Sequence, residues 1–276
     1  MKMKKTILIL LSLCLLLSLA ACGATAKAPE AKPAEEAKAE APAFTTVEAG
    51  KLHMATNAAF PPYEMIGDKD NEYIGIDVDI AKLIAEKLGF ELVVDDMDFG
   101  AVITSVQQGK SDMAMAGLTV NEERKKNVDF TTSYAKGIQV VIVTEDSDIA
   151  SIDDLADNKV IGTQANTTGY FYCSAPIEDG GYGEDMVVAY ENGPTAVKAL
   201  LDGKVDAVVI DNEPAKAFVA QNKGLKILET NFTEEDYAIG ISKDNPELLA
   251  AIEAALTELI ESGKVQEIID KYIKAE

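Results

Sequence analysis

Arg124 follows a β-rich run and a polar loop that begins at Thr119. Its planar guanidinium could grip a carboxylate through two parallel charge-assisted hydrogen bonds. Lys125 and Lys126 beside it read as a solvated basic turn, and taken alone Arg124 would read the same way. Thr167 and Thr168 stand where a helix is expected to start. Free amide groups and the positive end of a helix dipole favour an anion there, and ordinary capping by threonine is compatible with that role. Asp211 ends an apolar run, Ala207–Ile210, where an acid needs a partner. The candidates are a cation or the start of a helix just ahead of Pro214.

Other chemistries find little support. The single histidine, His53, lies in the strand-like run Lys51-Leu52-His53-Met54-Ala55 and has no second histidine with which to hold a metal. Of three cysteines, Cys14 and Cys22 belong to the N-terminal apolar segment, so Cys173 is alone in the body and no disulfide framework can form there. No Walker loop, GxGxxG, GxSxG or HExxH motif occurs, and Gly180-Gly181-Tyr182-Gly183 reads as a surface turn. No cofactor is implied. With 276 residues, 47% of them hydrophobic, the chain can bury a large core in one domain or two lobes. A formal net charge of −22 repels nucleic acid and anionic lipid headgroups, so neither is an expected partner of the folded body.

The elements that must position these residues follow from periodicity. Lys51–Thr56 reads as a strand, Asp77–Leu88 as an amphipathic helix with Ile80, Leu83, Ile84 and Leu88 on one face, and Glu91–Val94 as a second strand. A helix near Ala101–Gln108 and a strand at Asp112–Ala116 complete a first α/β series. A second series begins after Gln139–Thr144, with strands at Lys159–Thr163, Met186–Tyr190 and Ala207–Ile210 and helices near Thr195–Leu201 and Pro214–Gln221. Tyr237–Ser242 then reads as one strand, followed by helices at Pro246–Ser262 and Val265–Ile273. Two such series predict two lobes with largely parallel sheets, and the apolar runs Val140–Val143 and Ile239–Ile241 are where the chain is expected to cross between them. Ligands of open α/β sheets sit beyond the carboxyl ends of the strands, so the expected site is a cleft between the lobes.

Six blocks then carry a resemblance across nearly the whole body. They are Ala55-Thr56-Asn57-Ala58-Ala59-Phe60-Pro61-Pro62-Tyr63-Glu64, Gly75-Ile76-Asp77-Val78-Asp79-Ile80-Ala81, and Ala116-Gly117-Leu118-Thr119 with Glu123-Arg124. Val128-Asp129-Phe130, Gln164-Ala165-Asn166-Thr167-Thr168-Gly169 and Asp206-Ala207-Val208-Val209-Ile210-Asp211 complete the set. In this order they resemble the polar amino-acid-binding family of bacterial ABC-transporter solute-binding lipoproteins, family 3. The resemblance implies an α/β periplasmic-binding-protein type II fold, its two lobes joined by a double-stranded hinge around an interlobe ligand cleft. The lobes would be 44–138 with 232–276, and 139–231.

The same resemblance implies a clamp for a free amino acid. Arg124 would take the carboxylate, opposed by Thr167 and Thr168. Asp211 would take the ammonium, helped by the Thr119 hydroxyl and the Gly117 carbonyl. Phe60 and Phe99 would cover the side chain, and Asn57 and Gln164 would meet its polar end. The ligand expected is polar neutral or cationic, because Asn57 and Gln164 supply neutral hydrogen bonds, Phe60 and Phe99 can cover a stem or guanidinium, and no second cation is evident for an acidic side chain. Relatives favouring cations carry an acid where Asn57 is neutral, so the choice within that range stays open. Partners would be a membrane permease and a separate ATPase. Two other classes share the scaffold: a cyclohexadienyl dehydratase-like enzyme, for which His53 or Glu64 would supply the general acid, and a ligand-sensing module.

The N-terminus carries an address. Lys2, Lys4 and Lys5 precede an uncharged run from Thr6 to Ala21, shorter than a comfortable bilayer span. Leu19-Ala20-Ala21-Cys22 resembles the bacterial lipoprotein box, which makes residues 1–21 a signal peptide and Cys22 the lipidated first residue of the mature chain. Residues 24–43 contain only Ala, Pro, Lys, Glu and one Thr, a tether without core-forming side chains. The body is therefore expected outside the cytoplasm, anchored to the cell membrane by two acyl chains. Cys22→Ser should leave the domain folded yet release it from the membrane fraction of cells; quantitative sedimentation of the variant with membranes would point to a different anchor.

Overall fold

A computed structural model describes residues 44–70, 72–228 and 233–274. The signal peptide, Cys22 and the tether named above lie outside the described residues. Among those described, no helix is long and apolar enough to cross a membrane.

The first α/β series opens with β1 (Lys51–Thr56) and a small antiparallel sheet, β2 (Ala59–Phe60), β3 (Glu64–Ile66) and β4 (Tyr73–Ile74). α1 (Ile76–Leu88) follows, with Asp77 and Asp79 in its first turn, Lys87 in its last, and Gly89 in the left-handed region as its C-cap. That order complements the helix dipole and satisfies the terminal carbonyls of Ala85 and Glu86. β5 (Glu91–Asp96), α2 (Phe99–Gln107), β6 (Met113–Ala114), the short α3 (Glu122–Lys125) and β7 (Val128–Phe130) complete the series.

β8 (Ala135–Thr144) leads into the second series: β9 (Ile161–Gln164), α4 (Thr168–Ser174), β10 (Val187–Tyr190), α5 (Gly193–Leu201), β11 (Ala207–Asp211), α6 (Asn212–Gln221) and β12 (Leu225–Ile227). The chain returns through β13 (Thr233–Tyr237) to β14 (Gly240–Ser242), α7 (Pro246–Glu261) and α8 (Lys264–Tyr272).

Two principal sheets result among the described residues. The first has the order β5-β1-β6-β14-β7, with β1 parallel to β5 and β6 and with β14 antiparallel to its neighbours. Leu52 and Met54 of β1, Met113 of β6 and Ile241 of β14 are fully buried, in one cluster with Ile80 and Ile84 of α1 and Ile252 and Leu256 of α7. The second sheet has the order β10-β9-β11-β8-β12. Its central strands are buried on both faces: Val141, Val143 and Val209 pack with Cys173 of α4, while Val140, Ile142 and Ile210 pack with Leu200 of α5 and Phe218 of α6. Helices on both faces explain why these strands read as unbroken apolar runs.

The crossings differ from the sequence expectation. Val140–Val143 lie inside the second sheet, paired with β11, and Gly240–Ile241 lie inside the first, paired with β6 and β7. The chain passes between the sheets where β8 and β13 pair antiparallel, from Ala135↔Tyr237 to Gln139↔Thr233. β13 is separate from β14, with Ala238 and Ile239 between them, so the single strand expected over Tyr237–Ser242 is two. Apolar runs mark burial on both faces, whereas the connecting ribbon turns Lys136, Glu234 and Asp236 to solvent and Glu235 and Tyr237 inward.

The ribbon is also tight. A Cβ on Gly137 would lie 2.1 Å from the Tyr237 hydroxyl oxygen. Gly137→Ala should therefore destabilise the protein by about 1–3 kcal/mol, the usual cost of overpacking, as a lowered denaturant midpoint. An unchanged midpoint would mean that Tyr237 swings aside freely.

Candidate functional site

Every residue nominated for the clamp lines a single small cavity, together with Glu64 and Ala116. The strand ends bring them there. Asn57 follows β1, Phe60 is in β2, Phe99 opens α2, Gly117 and Thr119 follow β6, and Arg124 is on α3. From the second sheet come Gln164 at the end of β9, Thr167 and Thr168 at the start of α4, and Asp211 at the end of β11.

Arg124 is 7% exposed. The Asn121 side chain caps α3 by accepting from the Arg124 amide at 2.8 Å, which sets the direction of the helix. Nη1 donates to the Thr119 carbonyl at 2.8 Å and Nη2 to the Asn166 carbonyl at 3.4 Å, so one guanidinium touches both series. Its carbon sits 5.3 Å from the Phe99 ring centroid, a cation–π contact that places Phe99 under the arginine. Burial lowers its pKa to about 10, opposed by Glu235 and Asp211.

Asp211 is also 7% exposed, and it accepts a hydrogen bond from the Tyr237 hydroxyl. Burial, then the nearby Glu235 carboxylate, pushes its pKa up to about 7. Of the two partners considered for it, helix capping is not used: Asp211 precedes α6 but makes no side-chain capping bond.

Gly117 adopts φ +53°, and a Cβ there would come within 2.6 Å of the Phe60 ring. Glycine thus meets both a left-handed turn and the close approach of an aromatic wall. Phe60 stacks on Tyr63 at 5.7 Å, and Tyr63 meets Tyr237 edge-on at 5.2 Å.

Thr167 caps a helix, as the sequence allowed, whereas the amides of Gln164 and Asn57 are committed in ways that spacing did not reveal. The Thr167 hydroxyl accepts from the Tyr170 amide at 3.2 Å and donates to the Gln164 carbonyl at 2.8 Å, so its side chain serves as the cap of α4. Thr168, 5% exposed, lines the cavity beside it. Gln164 Nε2 donates to Asn57 Oδ1 at 3.0 Å and to the Glu191 carbonyl at 3.3 Å, while Asn57 Nδ2 donates to the Met97 carbonyl at 2.8 Å. Both hydrogens of the Gln164 amide nitrogen are thus spent, and its Oε1 remains as an acceptor.

Sequence reasoning missed three acids. Glu64, weighed only as a general acid, is 1% exposed in the cavity wall. Asp77, on α1, is fully buried and accepts from the Gly117 amide at 2.9 Å and the Tyr134 hydroxyl at 2.8 Å. Counted as two carboxylates, Glu64 Oε1 and Oε2 and Asp77 Oδ1 are buried without donors; a proton on one of the two acids would let it donate to the other and would satisfy two of these three atoms. Burial, then Asp77, holds Glu64 well above the usual carboxylate range, and burial raises Asp77 to about 6. Glu235 is the third, 5% exposed on β13. An acid inside an apolar run, as at Asp77, was the available signal; Glu235 sits among Glu234 and Asp236 with none. His53 lies elsewhere, with Nδ1 3.1 Å from Asp95.

The acid pair has a consequence for pH. Glu64 has a folded-state pKa above its unfolded value of roughly 4.3, so its contribution to stability is complete below that pH and falls as pH rises. Glu64→Gln stays neutral throughout. Its thermal stability relative to the parent should therefore improve steadily from about pH 5 to about pH 8. A difference independent of pH would mean that Glu64 is charged in the cavity wall.

Comparison with known proteins identifies the family of the chain and relatives of its fold. The family of bacterial extracellular solute-binding proteins, family 3, matches residues 52–275. The chain is 31% identical over 283 residues to a probable histidine-binding protein of Neisseria gonorrhoeae, spanning 100% of this chain and 98% of that one. It is 31% identical over 272 residues to the ABC transporter glutamine-binding protein GlnH of Bacillus subtilis (strain 168), spanning 97% and 96%. An ancestral arginine-binding protein, solved bound to arginine, aligns at 38% identity with a TM-score of 0.75 over 81% of this chain and 98% of its own. The two-lobed type II fold and the sequence together show that this chain belongs to the bacterial extracellular solute-binding proteins of family 3.

Proposed function

We propose that this protein is the lipid-anchored, extracytoplasmic capture subunit of an ABC importer, and that its ligand is a free polar L-amino acid. One observation carries the ligand class: two buried, oppositely charged side chains, Arg124 and Asp211, come from different sheets to one small cavity. A zwitterion is the small molecule that meets both. Its carboxylate pairs with the Arg124 fork and its ammonium with Asp211, Thr119 and the Gly117 carbonyl. Residues 44–138 with 232–276 form one moving lobe and residues 139–231 the other, hinged on the β8–β13 ribbon. Closure brings Asp211 and Thr168 to a ligand already docked on Arg124 and Phe60. The closed form then meets the permease, and Cys22 keeps the protein at the membrane.

The far end of the cavity favours a donor-bearing side chain. Gln164 keeps an acceptor there, Glu64 adds another, and Phe60 and Phe99 offer aromatic faces. Among the described residues of the lining, Arg124 is the one cation, so an acidic side chain would find no second partner. Relatives named for histidine, glutamine and arginine fall within the same chemical range. Glutamine, arginine or histidine is thus preferred over glutamate or aspartate. The dehydratase-like reading rests on Glu64 alone, a buried acid in a ligand cavity.

Calorimetry on the refolded, ligand-stripped domain should show binding of at least one of these amino acids and none of its decarboxylated amine. Arg124→Lys should weaken that binding although it keeps the charge, because an ammonium cannot reproduce the planar fork. Asp211→Asn should weaken it by about 2–5 kcal/mol, because it strands the ligand's ammonium. Unaltered affinity in both variants would dismiss the clamp. Turnover of a cyclohexadienyl substrate without binding of any amino acid would favour the enzyme.

A further inference from the structure

β13 sends two polar side chains inward. Tyr237 donates to Asp211, and Glu235 accepts from the Thr119 hydroxyl at 2.8 Å and from Gln139 Nε2 at 3.2 Å. The flanking Glu234 and Asp236 face solvent, so pleating alone selects Glu235 for the interior. Glu235 is nine-tenths buried or more, and it does not line the cavity itself. Thr119 does.

A threonine hydroxyl has one hydrogen and two lone-pair sites. With its hydrogen held by Glu235, the Thr119 oxygen can only accept from whatever occupies the cavity. Asp211 is likewise an acceptor, with Oδ1 already engaged by Tyr237. Without Glu235, the hydroxyl could rotate and donate instead, and the same cavity wall would tolerate an oxygen acceptor where an ammonium is meant to sit.

We propose that Glu235 is a positioning residue that locks the Thr119 hydroxyl with its lone pairs toward the ligand, so that this wall admits a donor and discriminates the ammonium of an amino acid from an analogue lacking it. The inference rests on the amino-acid-capture reading above and adds to it a determinant outside the ligand contacts. Its location is consistent with that task. The Gln139 amide from the paired strand β8 donates to the same carboxylate oxygen that accepts from Thr119, which holds that oxygen in place.

The test compares L-arginine and L-glutamine, each with its des-amino carboxylic acid, by calorimetry on the stripped domain. The parent protein should prefer the amino acid strongly. Glu235→Leu, which removes the acceptor, should reduce that preference by about tenfold or more, the size of one hydrogen bond to a charged group. Glu235→Gln, which keeps a carbonyl oxygen for Thr119, should retain most of it. Thr119→Val should lose the preference to the same extent as Glu235→Leu, and the double variant should be no worse than either single one. If Glu235→Leu folds poorly, Glu235→Gln against Thr119→Val still decides: a loss of preference in Glu235→Gln as large as that in Thr119→Val would overturn the orienting role. Additive losses in the double variant, or equal losses in the Gln and Leu variants, would overturn the orienting role while leaving amino-acid capture standing. Absence of binding of any amino acid to the parent protein would overturn the capture reading and this inference with it.

Discussion

A guanidinium removed from water between two lobes is tolerated only if its five donors and its charge are answered, because stripping its hydration costs several kcal/mol. Much of this molecule is arranged around that requirement. Arg124 finds carbonyls from Thr119 and Asn166, an aromatic face from Phe99, and the field of Glu235 and Asp211. None of these partners is a carboxylate in bidentate contact with it. On the proposed reading its bidentate partner is the carboxylate of the ligand, and the surrounding acids oppose the effect of burial on its charge.

The acids create the converse problem. Asp211, Glu235, Glu64 and Asp77 are all buried, and like charges at short range in a poor dielectric cannot all persist. Two devices relieve the crowding. Protonation is one: burial holds Glu64 well above the usual carboxylate range and raises Asp77 to about 6 and Asp211 to about 7. Donation is the other, with Tyr134 and the Gly117 amide on Asp77, Tyr237 on Asp211, and Thr119 and Gln139 on Glu235. The second device also shapes the site, since a hydroxyl spent on a carboxylate cannot donate elsewhere.

The β8–β13 ribbon unites connection and chemistry. Its outward residues are charged and solvated, and its inward residues are Glu235 and Tyr237. A change in the geometry of this ribbon therefore reaches Thr119 and Asp211 directly, through single hydrogen bonds rather than through a long path. Gly137, which has no room for a methyl group against Tyr237, lies in the same stretch.

The short β2, β3, β4, α3, β7 and β12 went unread, whereas local pattern in the chain was enough for the longer strands and helices of both series, the cap of α4, and the ends of β9 and β11 that carry Gln164 and Asp211. These depend on residues within a few positions of one another, where periodicity, glycine and capping side chains act. Folding alone decided how the polar groups share their hydrogen bonds. Gln164 meets Asn57 across 107 residues and Glu235 meets Thr119 across 116, and neither pairing leaves a trace in the neighbouring sequence. The same holds for the crossing strands. Apolar β-branched residues marked the buried sheet interiors because both faces are covered, whereas the ribbon between the lobes is solvated on one side and reads as an ordinary polar strand. Of three consecutive acids in β13, only the pleat of the finished ribbon determined that Glu235 would face inward.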